Sequence, residues 1–381
     1  MQLLFWSSVT MLVYIYVGYP AVVWLAARRR VRDAAFDEAD ATYQPRVTVV
    51  TAAYNEAAHI EATVRNKLEA DYPAERLNVI VVSDESDDGT DDIVRSLGSR
   101  VRLIRQTPRA GKTQALNTAI GETDAEIIVF SDANSLYEPD AIRLLVKHFQ
   151  DPSVGYVTGK MIYVGSDGSV TGDGCTAYMR YENFIRAQES QLRSVIGVDG
   201  GVDAVRRSEY VTMRADQQPD FVLPLSILEK RLAVIYEPGA VLREQALEDA
   251  GSEYRMRVRV SLRALWALWD KRALLNPFRY PGVAFRLLSH KVLRYLAFVP
   301  LALALAANAI LAVDNVVYMV LLIGHVTFYL LALAGSIGRR TADSVLVTLP
   351  AYFVLINTAA AHAVFRMLRG ERMATWKPRV G

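Results

Sequence analysis

The chain has 381 residues, of which 52% are hydrophobic and 22% are charged, and its formal net charge is +2. This composition excludes a disordered chain, because it supplies ample apolar surface to bury. The near balance of 43 basic and 41 acidic residues gives no indication of a nucleic-acid partner. The single cysteine, Cys175, excludes an internal disulfide and a cysteine-based metal cluster.

An uncharged apolar run opens the chain. Leu3–Ala27 contains no Lys, Arg, Asp or Glu, and four arginines follow it between residues 28 and 32. A secretory signal peptide carries its positive charge before the apolar run, so this order predicts a membrane anchor over residues 1–30. Because the basic side of such an anchor faces the cytosol, we expect a protein integral to the cell membrane whose next residues are cytosolic.

Three more uncharged runs lie near the C-terminus, at residues 295–313, 316–337 and 344–365. Each has about the length that ~30 Å of hydrocarbon requires, which predicts three transmembrane helices within residues 295–366 and a basic tail over residues 367–381. Three crossings place the tail opposite the middle of the chain, whereas its Lys and Arg side chains favour the cytosolic side. Either the tail breaks this rule or one run enters the membrane without crossing it.

Residues 251–294 combine cationic and apolar side chains at helical spacing. Ten Lys or Arg residues lie between Arg255 and Arg294, with Asp270 as the only acid among them, and Trp266 and Trp269 are interleaved with them. This pattern predicts amphipathic helices in the headgroup layer of a membrane, where Arg stems and Trp rings both find a suitable environment. The alternative is a basic helix in solvent.

The central part of the chain, residues 45–250, alternates strand and helix patterns. Continuous apolar, β-branched runs predict buried strands, and amphipathic stretches between them predict helices. This alternation predicts an α/β domain with a mostly parallel sheet. The predicted strands cover residues 47–54, 79–83, 101–105 and 127–131. The predicted helices cover residues 56–70, 90–97 and 113–120.

Polar side chains follow three of these strands at their carboxyl ends. Asn55 and Glu56 follow the first strand, Asp84 follows the second, and Asp132 and Asn134 follow the fourth. Ligands of parallel sheets bind at this edge, so the three groups are expected to line one crevice. Their oxygen atoms suit a hard divalent cation, which would in turn hold a diphosphate.

Two nucleotide-binding motifs are excluded. No glycine-rich dinucleotide fingerprint follows the first strand, and Gly111-Lys112-Thr113 lacks the earlier glycine of a phosphate-binding P-loop, since Gln106 stands in its place. Lys112 is therefore either a partner of a phosphate group or a surface lysine.

Four motifs together resemble the membrane-bound family-2 glycosyltransferases, the group that includes cellulose, hyaluronan and chitin-oligosaccharide synthases. They are TAAYNE at residues 51–56, VVSDESDDGTDD at 81–92, GKTQALN at 111–117 and FSDANSLYEPDAI at 130–142. The resemblance implies a GT-A fold flanked by transmembrane helices. It also implies a nucleotide-diphosphate sugar donor, usually a UDP-sugar, and Mg²⁺ or Mn²⁺ as cofactor.

The same resemblance assigns residues to the donor and the metal. Ala53, Tyr54 and Glu56 would line the nucleobase and ribose pocket, Asp84 would contact the nucleoside, and Lys112 would lie near the diphosphate.

Asp132 and Asn134 stand where the family has its Asp-x-Asp metal motif. Asn134 offers a neutral oxygen in place of the second carboxylate, so metal identity stays open.

On the acceptor side, the loop containing Gly197, Asp199, Gly200 and Gly201 resembles the family's acceptor-binding loop. Asp220 stands where the family has its catalytic base, which removes the proton of the attacking hydroxyl group.

Several positions depart from the family pattern. Pro219 replaces the acid before the base, and Asp216 is the fallback for that role. Arg255, Arg257 or Arg259 would bind the leaving diphosphate, whereas Val260 replaces the tryptophan on which an acceptor sugar stacks in processive synthases.

The resemblance implies inverting transfer of a sugar to a glycan acceptor at the membrane, in the manner of a polysaccharide synthase. A membrane lipid is the alternative acceptor. A third alternative is a sugar-nucleotide-binding protein without catalysis, which the departures at Asn134, Pro219 and Val260 also allow. Four apolar runs are few to enclose a glycan channel, so export would require a homo-oligomer.

Overall fold

A computed structural model describes residues 1–29, 42–164, 174–245, 250–337 and 344–373. The chain divides into two compact units. The helical unit comprises residues 1–29, 171–188 and 247–371, and the sheet unit comprises residues 30–170, 189–246 and 372–381. The arginines at 30 and 32 and most of the predicted basic tail lie outside the described residues.

The sheet unit is built on an eight-stranded mixed sheet with the strand order β3-β2-β1-β4-β7-β6-β8-β5. Its strands are β1 (Val47–Ala53), β2 (Leu77–Ser83), β3 (Val101–Arg105), β4 (Ile127–Asp132), β5 (Leu136–Tyr137), β6 (Val154–Val164), β7 (Asp203–Arg206) and β8 (Ala233–Gln245).

The helices are α1 (Gln2–Val13), α2 (Tyr19–Arg29), α3 (Ile60–Leu68), α4 (Thr90–Ser96), α5 (Lys112–Gly121), α6 (Ala141–Val146), α7 (Gly174–Gln191), α8 (Pro219–Glu229), α9 (Ala250–Asp270), α10 (Pro281–Arg286), α11 (Leu293–Tyr295), α12 (Phe298–Leu311), α13 (Val316–Ile337) and α14 (Val345–Leu368). A π-helical turn, Tyr14–Gly18, joins α1 to α2.

The four strands predicted from apolar runs form the parallel half of the sheet. β1 lies between β2 and β4, all seven of its residues are buried, and β3 pairs with β2 at the edge. A strand covered on both faces must be apolar throughout, which explains the uninterrupted Val-rich pattern. The mostly parallel α/β prediction is confirmed for this half.

The other half of the sheet was not predicted, and it contains the antiparallel pairs. β7 runs antiparallel to both β4 and β6, and β5 runs antiparallel to β8. β5 has two residues and β7 has four, too few to show a period in the sequence. β7 brings the glycine loop before it to the carboxyl end of β4, which is where the candidate site lies.

Strand β3 is one edge of the sheet and carries two arginines in ion pairs. Arg102 pairs with Glu122, and Arg105 pairs with Asp91 of α4.

Among the described residues of the helical unit, three helices are long and apolar enough to cross a membrane: Gln2–Arg29, Val316–Ser336 and Val345–Leu368. They confirm three of the four predicted runs as apolar helices. The run predicted at 295–313 is interrupted, because residues 281–295 and α12 meet at a bend of 56° and reach the necessary length only together.

The predicted amphipathic region contains α9, and large rings are exposed at its end and beyond. Trp269 is 56% exposed and Phe278 is 98% exposed, and the Arg272 guanidinium lies 5.2 Å from the Trp269 ring centre. Exposed aromatic rings beside arginines are typical of a membrane interface.

Candidate active site

The loops after β1 and β2 are held together by side-chain hydrogen bonds. The Asn55 amide donates to Asp87 at 2.8 Å and accepts from the Asp87 backbone N–H at 2.9 Å. The backbone N–H of Ala57 donates to Asp88 at 2.9 Å. Asn55 has a φ of 55°, a value that asparagine tolerates better than most residues. Part of the acidic motif after β2 therefore shapes the loops.

Asp84 is fully buried at the end of β2, and both carboxylate oxygens accept hydrogen bonds. Oδ1 accepts from Gln106 at 2.5 Å and from the Ala110 N–H at 2.8 Å, and Oδ2 accepts from the Gly111 N–H at 3.0 Å. The Arg109 Nε atom lies 3.5 Å from Oδ2. Asp84 thus fixes the start of α5, and its predicted contact with a nucleoside stays a prediction.

The ring of Tyr54 lies beneath the guanidinium group of Arg109, a residue that the sequence analysis did not identify. The Arg109 guanidinium carbon is 3.5 Å from the centre of the Tyr54 ring. Ala53 is fully buried, and the Glu56 N–H donates to the Thr90 hydroxyl at 2.9 Å. Three of the predicted nucleoside residues, Ala53, Tyr54 and Glu56, therefore lie at the carboxyl end of β1, with a flat cation over the aromatic ring.

Lys112, Asp132 and Asp220 come together from three separate elements. Lys112 is the first residue of α5, Asp132 ends β4, and Asp220 lies in the first turn of α8. The Lys112 ammonium donates to Asp132 Oδ1 at 2.6 Å and lies 3.9 Å from Asp220 Oδ1. This geometry excludes the surface-lysine alternative, because only 23% of the Lys112 side chain is exposed.

Electrostatics keep Lys112 charged. Burial alone would lower the pKa of Lys112, but the Asp132 and Asp220 carboxylates raise it above its ordinary value. The Lys112 ammonium therefore stays protonated, and the two carboxylates hold it in position.

Helix α3 braces the loop that follows Asp132. The Thr63 hydroxyl donates to the Ala133 carbonyl at 2.7 Å, and the fully buried Lys67 ammonium donates to the Ser135 carbonyl at 2.5 Å. The same ammonium lies 3.8 Å from the centre of the Tyr137 ring. These contacts fix the backbone on either side of Asn134.

Asp132 and Asn134 fit a hard divalent cation as part of a larger ligand set. One carboxylate and one amide oxygen are the ligand types that Mg²⁺ and Mn²⁺ accept, and Gly201 leaves room beside them. A Cβ at Gly201 would come within 3.4 Å of Asp132 Oδ2. In the described residues, no three His, Cys, Asp or Glu side chains form a metal-binding group, so Asp132 and Asn134 would supply only part of the coordination shell.

The glycine pair in the predicted acceptor loop is required by close packing against the site. Gly200 and Gly201 have φ values of +83° and +101°, in the left-handed region that glycine adopts without strain. A Cβ at Gly200 would lie 2.8 Å from both Cγ and Oδ2 of Asp220. The loop thus lies directly against the predicted base.

The rest of this loop is tied to the sheet. Gly197 is buried, and Asp199 Oδ2 accepts from the Met161 N–H at 3.2 Å. The Tyr137 hydroxyl lies within hydrogen-bond distance of the carbonyl oxygens of Phe130, at 2.7 Å, and Gly201, at 2.6 Å. Tyr137 therefore links the strand that ends at Asp132 to the glycine loop.

The segment before α8 is fastened to α5. The Asn117 amide donates to the Met213 carbonyl at 2.7 Å, and the Thr113 hydroxyl donates to the Gln217 carbonyl at 2.8 Å. These bonds fix the distance between the helix that begins with Lys112 and the helix that presents Asp220.

The fallback base, Asp216, is engaged elsewhere. Its carboxylate accepts from Arg214 at 3.1 Å and from Arg372, and these cations hold the pKa of Asp216 below its ordinary value against the effect of burial. Arg255 and Arg259 lie on α9 in the helical unit, so their contact with a diphosphate stays a prediction.

Asp203, the first residue of β7, was missed by the sequence analysis. It pairs with Phe130 of β4 and Thr158 of β6, and neither of its buried carboxylate oxygens has a hydrogen-bond partner of good geometry. Burial and the nearby Asp220 carboxylate raise the pKa of Asp203 to about 7. An acid two residues after a glycine pair and inside an apolar run was the available signal.

The fold and the site together define the GT-A class of glycosyltransferases. Residues 48–211 match the family model described as Glycosyl transferase family 2. The chain thus contains a domain that matches glycosyltransferase family 2 and covers the parallel half of the sheet and the glycine loop. This confirms the resemblance on which the site residues were predicted.

Two relatives and one solved structure illustrate the range of similar proteins. A beta-monoglucosyldiacylglycerol synthase of Trichormus variabilis is 29% identical over 43% of this chain and 36% of its own length. A poly-beta-1,6-N-acetyl-D-glucosamine synthase of Staphylococcus aureus is 25% identical over 61% of this chain and 56% of its own length. The chain thus spans between about a third and somewhat over half of the length of these curated relatives.

The solved structure is similar over nearly the whole chain. It is the mannosyltransferase PcManGT from Pyrobaculum calidifontis in complex with GDP-Man and Mn²⁺. It is 25% identical, with a TM-score of 0.73 over 96% of this chain and 99% of that chain.

Proposed function

We propose that this protein transfers a sugar from a nucleotide-diphosphate sugar to an acceptor at the membrane, with inversion at the anomeric carbon. The observation that carries the proposal is the cluster of Lys112, Asp132 and Asp220 at the carboxyl end of β4. It combines a cation for a leaving diphosphate, an oxygen ligand for a divalent metal and a carboxylate for proton removal.

Asp220 serves as the general base in this proposal. Its carboxylate takes the proton from the acceptor hydroxyl while that oxygen attacks the anomeric carbon from the face opposite the diphosphate. The bond from the anomeric carbon to the diphosphate oxygen breaks, and the diphosphate leaves with both electrons. Lys112 lies 3.9 Å from Asp220, so the cation and the base border the same reaction centre.

Lys112 neutralises the charge that develops on the leaving diphosphate. It is held in place by Asp132, by the start of α5 and by the Gly111 N–H bound to Asp84. A preorganised cation at a developing negative charge is among the strongest contributions an enzyme makes to catalysis.

A divalent cation would be held by Asp132 and Asn134, and when bound it supplies positive charge to the diphosphate oxygens. The neighbouring structure that contains Mn²⁺ supports this assignment. Asn134 brings no second negative charge, so we expect weaker metal affinity than a two-carboxylate motif gives. The assay described below determines whether Mg²⁺ or Mn²⁺ supports activity.

The acceptor is a glycan in the first form of this proposal, supported by the 240-residue match to a polysaccharide synthase. The second candidate is a membrane lipid. The match to a glucosyldiacylglycerol synthase favours it, as does Val260, which offers no aromatic ring for a growing chain. The length of the product distinguishes the two.

The donor is proposed to be a UDP-sugar, as the four motifs imply. A GDP-sugar is the second candidate, because the solved structure that covers 96% of this chain contains GDP-Man.

The experiment uses the full chain purified into lipid nanodiscs. UDP-sugars and GDP-sugars are supplied with Mg²⁺ or Mn²⁺, release of the nucleoside diphosphate is recorded, and products are sized by mass spectrometry. We expect release with one donor, dependent on metal. A polymer would identify a glycan acceptor, and a lipid with one sugar would identify the second candidate.

Two acid-to-amide variants test the base. Asp220→Asn should lower transfer by about 10²- to 10⁴-fold, the usual contribution of a general base, while donor binding is retained. Asp216→Asn should keep transfer, because Asp216 is paired with Arg214 and Arg372. Full activity of Asp220→Asn, or loss confined to Asp216→Asn, would refute the assignment.

A further inference from the structure

The Lys112 ammonium and a divalent cation depend on the same carboxylate. Asp132 Oδ1 accepts a hydrogen bond from Lys112 Nζ at 2.6 Å. The proposed function gives the two groups separate tasks, since Asp132 binds a metal ion and Lys112 neutralises a diphosphate. In the structure each group is the ion-pair partner of the other. Neither can take up its task in full while this ion pair persists.

The charges at this point of the site favour a cation over an anion. Lys112 Nζ also lies 3.9 Å from Asp220 Oδ1, so one ammonium faces two carboxylates. These three side chains together carry one net negative charge. Opposite charges a few ångströms apart attract strongly in a partly buried site, and like charges repel. The three groups therefore attract a divalent cation and repel a diphosphate that arrives without one.

Two further titratable residues close to these groups do not reverse this balance. Lys67 is fully buried beneath the loop after Asp132, and burial lowers its pKa well below the ordinary value. Asp203 is buried too, and burial raises its pKa. Burial thus disfavours the charged form of both residues, and their charges are opposite in sign when both are ionised.

A metal ion on Asp132 has to share that carboxylate with the ammonium. Oδ1 holds Lys112, and Oδ2 lies on the side of Gly201, where a Cβ would come within 3.4 Å of it. A cation at either oxygen is close to the ammonium and repels it, because a divalent ion is the largest local charge in such a site. Asp132 then holds Lys112 less strongly.

The Lys112 side chain can change partners while its backbone stays in place. The Gly111 N–H donates to Asp84 at 3.0 Å, and the Thr113 hydroxyl donates to the Gln217 carbonyl at 2.8 Å, so the residues on both sides of Lys112 are fixed. The lysine stem is flexible and its ammonium has three donors. An ammonium released from Asp132 therefore stays at the start of α5, where the proposed function has the diphosphate.

We propose that Lys112 competes with the divalent metal ion for Asp132, and that this competition makes the metal ion and the nucleoside diphosphate bind cooperatively. The inference rests on the metal and diphosphate sites of the proposed function. A diphosphate draws the ammonium away from Asp132 and so strengthens metal binding. A metal ion on Asp132 in turn makes the ammonium available to the diphosphate.

The sequence of the metal motif makes this competition more important. Asn134 is neutral, so Asp132 brings the only negative charge of the Asp132-Ala133-Asn134 motif. A motif with two carboxylates could give one to the ammonium and one to the metal ion. With a single carboxylate, the affinity for the metal alone is lowered by the whole strength of the Lys112 ion pair.

Mn²⁺ binding, followed by electron paramagnetic resonance, tests the proposal without any sugar transfer. The full chain in phosphatidylcholine nanodiscs is titrated with MnCl₂ alone and then in the presence of UDP or GDP. The same titrations of nanodiscs without protein give the Mn²⁺ held by lipid and by free nucleotide. We expect UDP or GDP to strengthen Mn²⁺ binding to the native protein about 5- to 100-fold, the usual range for coupled sites.

Removal of the competing cation should strengthen the binding of Mn²⁺ alone. We expect Lys112→Met to bind Mn²⁺ without nucleotide about 5- to 100-fold more tightly than the native protein, and to lose most of the strengthening by nucleotide. Lys112→Arg keeps the cation and should behave like the native protein.

The matched control removes a lysine from another ion pair of the sheet unit. Lys230 Nζ lies 3.0 Å from Glu209 Oε2, and Lys230 follows α8 ten residues after Asp220, about 15 Å along a helix. Lys230→Met should leave Mn²⁺ binding unchanged.

Asp220→Asn should have the opposite effect and guards against a general loss of structure. Without the Asp220 charge, the ammonium and Asp132 neutralise each other, so Mn²⁺ alone should bind more weakly than to the native protein. A variant damaged in its fold would also bind Mn²⁺ more weakly. Tighter binding by Lys112→Met therefore cannot come from such damage.

Two results would overturn the proposal. One is a Lys112→Met variant that binds Mn²⁺ alone no more tightly than the native protein, because Lys112 would then not compete for Asp132. The other is a native protein whose Mn²⁺ affinity is the same with and without UDP and GDP.

Asp132→Asn separates this failure from a failure of the proposed function. If Mn²⁺ binding survives Asp132→Asn unchanged, the metal assignment of the proposed function is wrong, and the competition fails with it. If Mn²⁺ binding follows the expected pattern but no donor sugar is transferred, the proposed function fails and the competition between Lys112 and the metal ion stands.

Discussion

Replacing Gly200 with alanine tests whether displacing Asp220 lowers activity beyond the loss of stability that backbone strain causes. At a φ of +83° an L-residue is strained by about 1–2 kcal/mol relative to glycine. The new Cβ would also lie 2.8 Å from Asp220 Cγ, about 0.7 Å closer than the ~3.5 Å of an ordinary carbon–carbon contact. Because Asp220 must move to relieve this contact, Gly200→Ala should lose activity as well as stability.

The matched control is Gly98→Ala. Gly98 has a φ of +93°, so it carries a similar strain, but nothing lies within 4 Å of a Cβ built there. Both variants should lose about 1–2 kcal/mol of unfolding free energy, or about 2–4 °C of melting temperature per kcal/mol. A displacement of about 1 Å at a reacting group costs ~10²-fold in rate, which we expect for Gly200→Ala alone.

The assay pairs thermal unfolding with turnover of the identified donor under saturating metal. Equal activity loss in the two variants would refute the reasoning, because strain alone would then explain it. Full activity of Gly200→Ala would show that Asp220 can move away from the new Cβ without loss of rate, or that it is not the base. Donor binding should be unchanged in both variants.

Three further predictions concern other parts of the sheet unit. Lys112→Met should lower kcat/KM for the donor by about 10²- to 10³-fold, as expected for loss of one charge-stabilising group, and Lys112→Arg should recover part of it. Arg206 donates to the Phe149 and Asp151 carbonyls at 2.8 and 3.1 Å, so Arg206→Ala should cost about 3 kcal/mol in chemical denaturation with an unchanged donor KM. Hydrogen bonds from His148 and Lys147 lower the pKa of Glu237 to about 2 against the effect of burial, which stabilises the fold by about 3 kcal/mol above pH ~4.5. That contribution is lost as the pH falls from about 4.5 towards 2, so the stability difference between the native protein and Glu237→Gln should shrink in unfolding curves over that window; a difference that is constant with pH would contradict the assignment.

The parallel half of the fold could be predicted because each strand is buried on both faces. Burial requires continuous apolar side chains, and that requirement is visible in a single sequence at Val47–Ala53 and Ile127–Asp132. The antiparallel half could not be predicted, since β5 and β7 are short and are defined by partners more than 40 residues away in sequence. Their formation depends on tertiary pairing, which leaves no local period.

The site was predicted where its residues belong to a motif and missed where they act through packing. Lys112, Asp132 and Asp220 were assigned by resemblance, and the structure brings them together. Lys67 and Asp203 escaped notice, because a lone lysine on an amphipathic helix and a lone acid in a strand resemble ordinary surface residues. Their burial appears only when α3 and β7 pack on the loops around Asp132.

The charged edge strand of the sheet affects whether copies of this protein aggregate. A terminal strand such as β3 offers a row of unpaired backbone groups to which a strand of another molecule can add. Arg102 and Arg105 hold ion pairs along that strand, and an incoming strand would have to strip water from these guanidinium groups. Proteins held in one membrane are concentrated in two dimensions and meet more often than proteins in bulk solution. The arginine pair therefore protects the fold against aggregation through the sheet edge under the crowding that membrane attachment imposes.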